Sequence, residues 1–291
     1  MKQWLLIVLA AMLFGTAGAQ TLEEMLESEM LPARVQVYNT FQSTRLVNGH
    51  TIEKMPQKEL DFRVSHRFGA INGGLYDFFG LDYAQTHLSL EYGFNDWLLA
   101  GIGRSTFEKT ADAFAKVALL RQGQGGSNIP LHLSFLFTGE VYGLKPLDGV
   151  ERSLSSRMTW VQQMLLARKF SQLLSLQLMP THIYRNQVPA PGEPHSLIAL
   201  GVGASASITP RMALTMEYYN VFRPETYFLG QRYRNPLSLG LDIQTGGHVF
   251  QLMLSNARSL REGSFIGRTT GSWGDGDIHF GFNISRVFSF N

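Results

Sequence analysis

LSLEYGF, residues 88–94, sets Leu88, Leu90, Tyr92 and Phe94 at every second position, with Ser89, Glu91 and Gly93 between them. In an extended chain successive side chains point to opposite faces, so this stretch reads as a strand with one apolar and one polar face. The same alternation recurs in LDFRV (60–64), LHLSFLF (131–137), LSLQL (174–178), LSLGLDI (237–243) and IHFGFNI (278–284). Worked outward from these, strands fall near 58–68, 85–94, 97–107, 111–121, 130–138, 156–168, 174–185, 196–207, 213–221, 236–244, 248–256 and 277–288. No window of about 18 uninterrupted apolar residues lies beyond residue 19, which excludes a membrane helix there. The pattern predicts an all-β fold: a transmembrane antiparallel up-and-down β-barrel of about 12 strands, apolar toward lipid and polar toward the lumen.

Residues 1–19 read as a secretory signal. Lys2 gives the positive start, Leu5 to Phe14 the apolar stretch, and Ala17-Gly18-Ala19 the small-residue motif for cleavage after Ala19. The chain has no cysteine, which excludes disulfides and thiolate metal sites. With 25 Lys+Arg against 23 Asp+Glu it is nearly neutral, so no basic surface for nucleic acid is expected. Charged residues make up only 16 % while aromatics reach 12 %, a balance that suits a wall facing lipid.

The connections alternate in length. Asn95-Asp96, Lys169 to Leu173, Ile208 to Met212 and Thr245-Gly246-Gly247 are tight, and Gly123 to Ile129 is a little longer; Asn, Asp and Gly supply the positive φ that hairpins need. The others run over 69–84, 139–155, 186–195, 222–235 and 257–276, with only 108–110 short. Short periplasmic turns and long outer loops give that rhythm when both barrel termini lie on the periplasmic side. Aromatics mark the two lipid–water boundaries: Tyr92, Phe94, Trp97, Phe170, Phe288 and Phe290 at the turn end, and Phe68, Phe107 and Tyr184 at the other. The carboxy-terminal strand, with alternate aromatics, is similar to the signal read by the outer-membrane assembly machinery.

Parity assigns the lumen lining. If Leu60, Phe62 and Val64 face lipid, then Asp61, Arg63 and Arg67 face inward, as do His87 and Glu91, Glu217, Asp242, His279 and Asn283 on their own strands. Charge in hydrocarbon costs about 2–4 kcal/mol at mid-membrane, so these groups meet water or one another; Arg63 and Glu91, at similar depth, are expected to pair. His87/Ser89 and His132/Ser134 repeat a His-x-Ser spacing similar to that of the outer-membrane phospholipase. A serine nucleophile needs a base and a group to orient that base. No Asn or Asp orienter is evident at matching depth, and both pairs point away from lipid. No catalytic residue, cofactor or metal ligand is assigned.

TFQSTRLVNGHTIE (40–53), LDFRVSHRFG (60–69), GIGRSTFEKT (101–110), LLARKFS (165–171), TGGHVFQL (245–252) and GDIHFGFNISRVF (276–288) together make the chain resemble a family of outer-membrane β-barrel proteins of Gram-negative bacteria, a domain of unknown function. The resemblance implies a fold and an outer-membrane location. It brings no site residues.

Domain organisation is expected as a signal peptide (1–19), an amino-terminal segment (20–57) and the barrel (58–291). Leu22, Met25, Leu26 and Met30 recur at helical spacing among glutamates until Pro32, a short acidic helix before an irregular stretch. This segment is either a periplasmic leader or a lumen plug in which Arg45 pairs with Glu91 or Asp242. The leading functional expectation is a narrow passive channel or small-solute transporter. The alternatives are a structural or partner-binding barrel without transport and a lipid-acting membrane enzyme. Support for partner binding lies in Tyr227, Phe228, Arg232, Tyr233 and Arg234, and in Arg258, Arg261, Arg268 and Trp273, residue types common in interaction hot spots and equally suited to anionic lipopolysaccharide. The expected surroundings are membrane lipid and lipopolysaccharide.

Overall fold

A computed structural model describes residues 35–290 except 125–128, 146–148, 190, 225–226 and 229. The signal sequence and the acidic helix near 22–30 lie outside the described residues.

Twelve antiparallel strands form one closed barrel. They are β1 (Glu59–Ala70), β2 (Ala84–Gly93), β3 (Leu98–Ser105), β4 (Ala111–Leu120), β5 (His132–Val141), β6 (Met158–Lys169), β7 (Leu174–Arg185), β8 (Ser196–Thr209), β9 (Met212–Phe222), β10 (Leu237–Thr245), β11 (His248–Ser255) and β12 (His279–Ser289). Each strand pairs with its neighbours in sequence, and β12 closes on β1 with Asn283 opposite Ser65 and Phe288 opposite Leu60. Closure leaves no sheet edge, which the hydrocarbon core of a membrane demands of strands. The boundaries match the alternation to within a few residues, because a strand buried on one face cannot slip by one position without inverting that face.

The outer wall is apolar. Leu88, Leu90, Ile102, Leu176, Leu178, Ile198, Leu200, Leu214, Leu239, Leu252 and Leu254 are all exposed outward. Phe94, Trp97, Phe170, Phe288 and Phe290 are exposed at the turn end and Tyr184 at the loop end. Phe107 departs from the girdle expected there: the Arg258 guanidinium lies 5.7 Å above its ring, and it lines a cavity inside the loop end.

The inner face mixes polar with apolar residues, which corrects the expectation of a uniformly polar lumen. Around β12, β1 and β2 it carries Asn283, Asp61, Arg63, Arg67, His87 and Glu91, all buried. From β3 round to β9, Leu99, Phe114, Leu136, Val161, Leu165, Met179, Ile183, Leu197 and Tyr219 are buried too, interspersed with inward polar residues such as Lys116, Gln163, Gln177 and Glu217. The reason is occupancy: Phe41, Leu46 and Ile52 from the segment before β1, and Phe265 and Ile266 from the loop before β12, join these wall residues in one apolar cluster.

The inner segment reaches the lumen from the turn end, where Val35–Gln36 pairs with Gly123–Gln124. It reverses at Val47-Asn48, held by Leu46 N–H to the Gly49 carbonyl (2.8 Å) and Thr51 N–H to the Thr44 carbonyl (2.9 Å). It then returns to the turn end, where Lys58 N–H bonds the Gly93 carbonyl (2.9 Å) as β1 begins. Glycines on the wall make room. A Cβ on Gly203 would collide with the Leu46 side chain, and one on Gly93 with the Pro56 carbonyl.

Candidate functional site

Where the inner segment reverses, charged side chains converge at mid-barrel. Arg45 donates from Nη1 to Glu262 Oε1 (2.8 Å) and from Nε and Nη2 to Glu91 Oε1 (3.3 Å each). Thr44 Oγ1 donates to Glu91 Oε2 (2.7 Å). Glu262 opens a four-residue helical turn, Glu262–Phe265, in the β11–β12 loop, and that loop folds down into the barrel from the loop end. Its Arg261 is almost fully buried, pairs with Asp112 and lies 3.4 Å from Glu262. Asp112 in turn meets His87 Nε2 at 3.0 Å. Two elements from opposite mouths therefore meet through the Arg45–Glu262 pair.

The wall holds the inner segment mainly by its backbone. Glu217 accepts from Asn48 N–H (2.9 Å), Asn48 Nδ2 (2.6 Å) and Gly49 N–H (3.0 Å). Gln251 Nε2 donates to the Arg45 and Leu46 carbonyls (3.1 Å each), Asn283 to that of Val47 (3.2 Å), Gln177 to that of His50 (2.8 Å) and Lys116 to that of Thr51 (2.8 Å). An irregular backbone inside a barrel has no ladder of its own, so inward side chains must satisfy its polar groups. His50 is fully buried, and among the described residues neither ring nitrogen has a hydrogen-bond partner. Burial first, and then Arg45, Lys116 and Arg261, push its pKa well below the usual imidazole range. The ring is therefore neutral, although Glu262 lies 3.6 Å away.

The remaining space is divided. Between the two elements a cavity of about 10 Å3, lined by Arg45, Asn48, Arg63, His87 and Arg261, has room for about one water. A cavity of about 420 Å3 opens toward the loop end, and two of about 340 and 200 Å3 toward the turn end.

A profile of the family described as "Membrane bound beta barrel domain (DUF5777)" matches residues 41–288. The chain belongs to this family. Among solved structures, the DUF5777 barrel is similar to an outer-membrane channel from Pseudomonas putida F1, with 14 % identity, 81 % of this chain and 98 % of that one covered, and a TM-score of 0.49. It is also similar to the KdgM porin solved with disordered oligogalacturonate (9 %, 80 % and 99 %, 0.45) and to Omp33 of Acinetobacter baumannii (7 %, 80 % and 99 %, 0.42). No curated protein matches it.

In this DUF5777 barrel the residues read from parity lie as follows. Arg63, Arg67, Glu91, Glu217 and Asn283 hydrogen-bond the inner segment. Asp61 accepts from Arg63 (2.8 Å), Asp242 from Gln251 (2.9 Å), and His279 Nδ1 meets the Phe68 carbonyl (3.0 Å). The expected Arg63–Glu91 pair is replaced: Arg63 is drawn to Asp61, two residues along its own strand face, and Glu91 to Arg45. His87 does have an orienting carboxylate, Asp112, contrary to the sequence reading: Asp112 lies opposite Gly103 of the intervening β3, and a glycine without a side chain leaves His87 room to reach it. Among the described residues Ser89 Oγ has no hydrogen-bond partner, and His132 is engaged by Thr40 Oγ1 (3.1 Å) and Gln122 N–H (3.3 Å).

Of the arginines in 257–276 offered for partner binding, Arg261 is buried beside Asp112 and unavailable to a partner. Arg268 makes a two-pronged pair with Glu108 (2.8 Å each), and Trp273 Nε1 donates to the Leu237 carbonyl (3.0 Å). Of the residues that close the lumen, Asn48, Asp112, Lys116, Gln177, Gln251 and Glu262 went unassigned. Strand parity alone marks Asp112, Lys116, Gln177 and Gln251 as inward. Nothing in the alternation marks Asn48 or Glu262, which lie off the strands.

Proposed function

We propose that the protein is an outer-membrane channel for small solutes whose lumen is shut in the state described, with residues 38–57 acting as its plug. One observation carries this reading: cavities of mixed polar and apolar lining approach mid-barrel from both mouths, and among the described residues two elements that are not part of the wall separate them. The inward carboxylates, arginines and amides then have two uses, holding the plug when shut and lining a wet path when it withdraws.

The test is conductance of purified protein in planar bilayers. The intact chain is expected to be silent or to open rarely, and a chain lacking 38–57 to show discrete steps, with folding checked by heat-modifiable gel mobility. A folded deletion variant that stays silent would remove the channel reading in favour of a structural barrel, which the apolar packing inside the lumen also supports.

A further inference from the structure

The β1–β2 loop, INGGLYDFFGLDY (71–83), lies at the loop end and turns apolar side chains to the outside. Leu75 is 80 % and Tyr76 92 % exposed, and Phe78, Phe79, Leu81 and Tyr83 are exposed with them. Single exposed apolar residues are ordinary, but a contiguous run of this kind marks a surface that meets something other than water.

The loop is tightly built. Two short 3-10 turns, Ile71–Gly73 and Phe78–Gly80, shape it. Phe79 N–H bonds the Gly74 carbonyl (2.6 Å), and Gly80 N–H bonds that of Asp77 (2.9 Å). Phe78 and Phe79 are held at φ of 47° and 54°, left-handed values that bulky residues seldom adopt and that persist only where the surroundings impose them. Strain is tolerated here while both rings stay at the surface.

Its height is set by the strands. Ile71 N–H bonds the Ile278 carbonyl (2.9 Å) and extends the β12–β1 ladder by one step. Gly80 then returns to the strand end, packed so closely on Gly69 that a Cβ on either would meet the other's backbone. At the turn-end aromatic boundary Leu60 pairs with Phe288. From Leu60 to Ile71, at ~3.3 Å per residue and a tilt of about 35–45°, the wall rises roughly 26–30 Å, against an apolar band about 25 Å tall. The loop therefore sits at the upper edge of the lipid-facing band. That band leads into it: Phe68 stacks on Phe280 (5.8 Å between ring centres) and meets Phe282 (6.3 Å). All three lie on the strand faces opposite the inward Arg67 and Asn283. Asn72 Nδ2 donates to the Asp275 carbonyl (3.2 Å) and to Asp277 Oδ1 (2.7 Å), which tethers the loop to the rim of the mouth.

We infer that the β1–β2 loop is seated in the membrane, with Leu75, Tyr76, Phe78 and Phe79 among the acyl chains at the boundary of the loop-side leaflet. Residues 71–83 contain no Lys or Arg, and their charges are Asp77 and Asp82, so the loop matches hydrocarbon and not the phosphates above it. Aromatic rings are favoured at that depth, where apolar chains give way to water. Seating of this kind does not depend on whether the barrel conducts.

The chain has no cysteine, so a single introduced thiol reports on one site. Full-length Tyr76→Cys, Phe79→Cys, Glu151→Cys (exposed in the β5–β6 loop) and Leu200→Cys (on the lipid face) would be refolded into phosphatidylcholine vesicles. Folding is checked by heat-modifiable mobility, and Leu75→Cys replaces either loop variant that fails to fold. Tyr76→Cys and Phe79→Cys should react with a water-soluble maleimide about tenfold or more slowly than Glu151→Cys, because apolar surroundings raise a thiol's pKa and shield it. A fluorophore attached to Tyr76→Cys before refolding should be quenched by lipids brominated on the acyl chain nearly as well as one on Leu200→Cys. Reaction of Tyr76→Cys and Phe79→Cys as fast as Glu151→Cys would overturn the seating. Slow reaction without bromine quenching, lost when the protein is diluted in lipid, would also overturn it and assign the surface to a second copy of the chain.

Discussion

Arg45 is the residue on which the closed lumen depends most. It is the counter-charge for both Glu91 and Glu262, neither of which is exposed. Removing one partner of a buried pair is far worse than never having had it, at about 3–5 kcal/mol, because the remaining charge stays buried. Arg45→Ala should therefore free the inner segment rather than melt the wall. The expected outcome is protease cleavage within 38–57 while the barrel keeps its heat-modifiable mobility. Replacing Arg45, Glu91 and Glu262 together by Met, Gln and Gln should restore much of the protection; protection as low as in Arg45→Ala would show that the pair is not what holds the segment.

His50 makes the same closure sensitive to pH. Its folded pKa lies below that of the unfolded imidazole, about 6.5. The released state therefore binds the proton more readily, and this stabilisation is full above about pH 6.5 and is lost as pH falls toward the folded value. Glu53, whose pKa is raised by burial, acts in the opposite sense and loses stability as pH rises. The His50 contribution is isolated by comparison with His50→Gln. Cleavage of the inner segment should rise between pH 7 and pH 5 in the wild type and rise less in the variant. Parallel curves would exclude His50 as the cause.

At the scale of elements, the strands were legible in the sequence and the lumen contents were not. LSLEYGF carries its own assignment because one wrong register would turn Leu88 and Leu90 inward and Glu91 into lipid. The β11–β12 loop has no such constraint. Arg261 and Glu262 look like surface residues until Asp112 and Arg45, some 150 and 217 positions away in sequence, supply their partners. Phe114, Met179 and Tyr219 misled in another way: their parity pointed inward, yet apolar residues were expected only outward. The elements that fill the lumen also suggest where to break it. Gly203→Leu would place a side chain where Leu46 sits and should unseat the inner segment with β8 intact. It should give conductance steps like those of the 38–57 deletion; a silent, folded variant would mean that the segment tolerates the displacement.

For the molecule as a whole, the wall is apolar outside and the inside is a second core with charges embedded in it. Substitutions should sort by face. Leu200→Arg puts a charge on the lipid side of β8, where the cost is about 2–4 kcal/mol at mid-depth. Ser205→Arg, on the inner face of the same strand nearer the turn end, need not meet lipid at all. The folded fraction in lipid vesicles, read from gel mobility, should fall for Leu200→Arg and much less for Ser205→Arg. Equal losses would count against the assigned faces.

The inner segment enters and leaves by the same mouth. A hairpin anchored this way can be drawn out without opening any strand pair in the wall. Pulled from its amino end, it would give way contact by contact: Thr40 from His132, then Ser43 and Thr44 from Arg63 and Glu91, then Arg45 from Glu262. Peeling of this kind needs far less force than shearing every bond at once, so a modest tug from the turn side is mechanically sufficient to clear the lumen. Single-molecule pulling from residue 35 should show small early steps before the barrel ruptures, and a single large rupture would rule such withdrawal out.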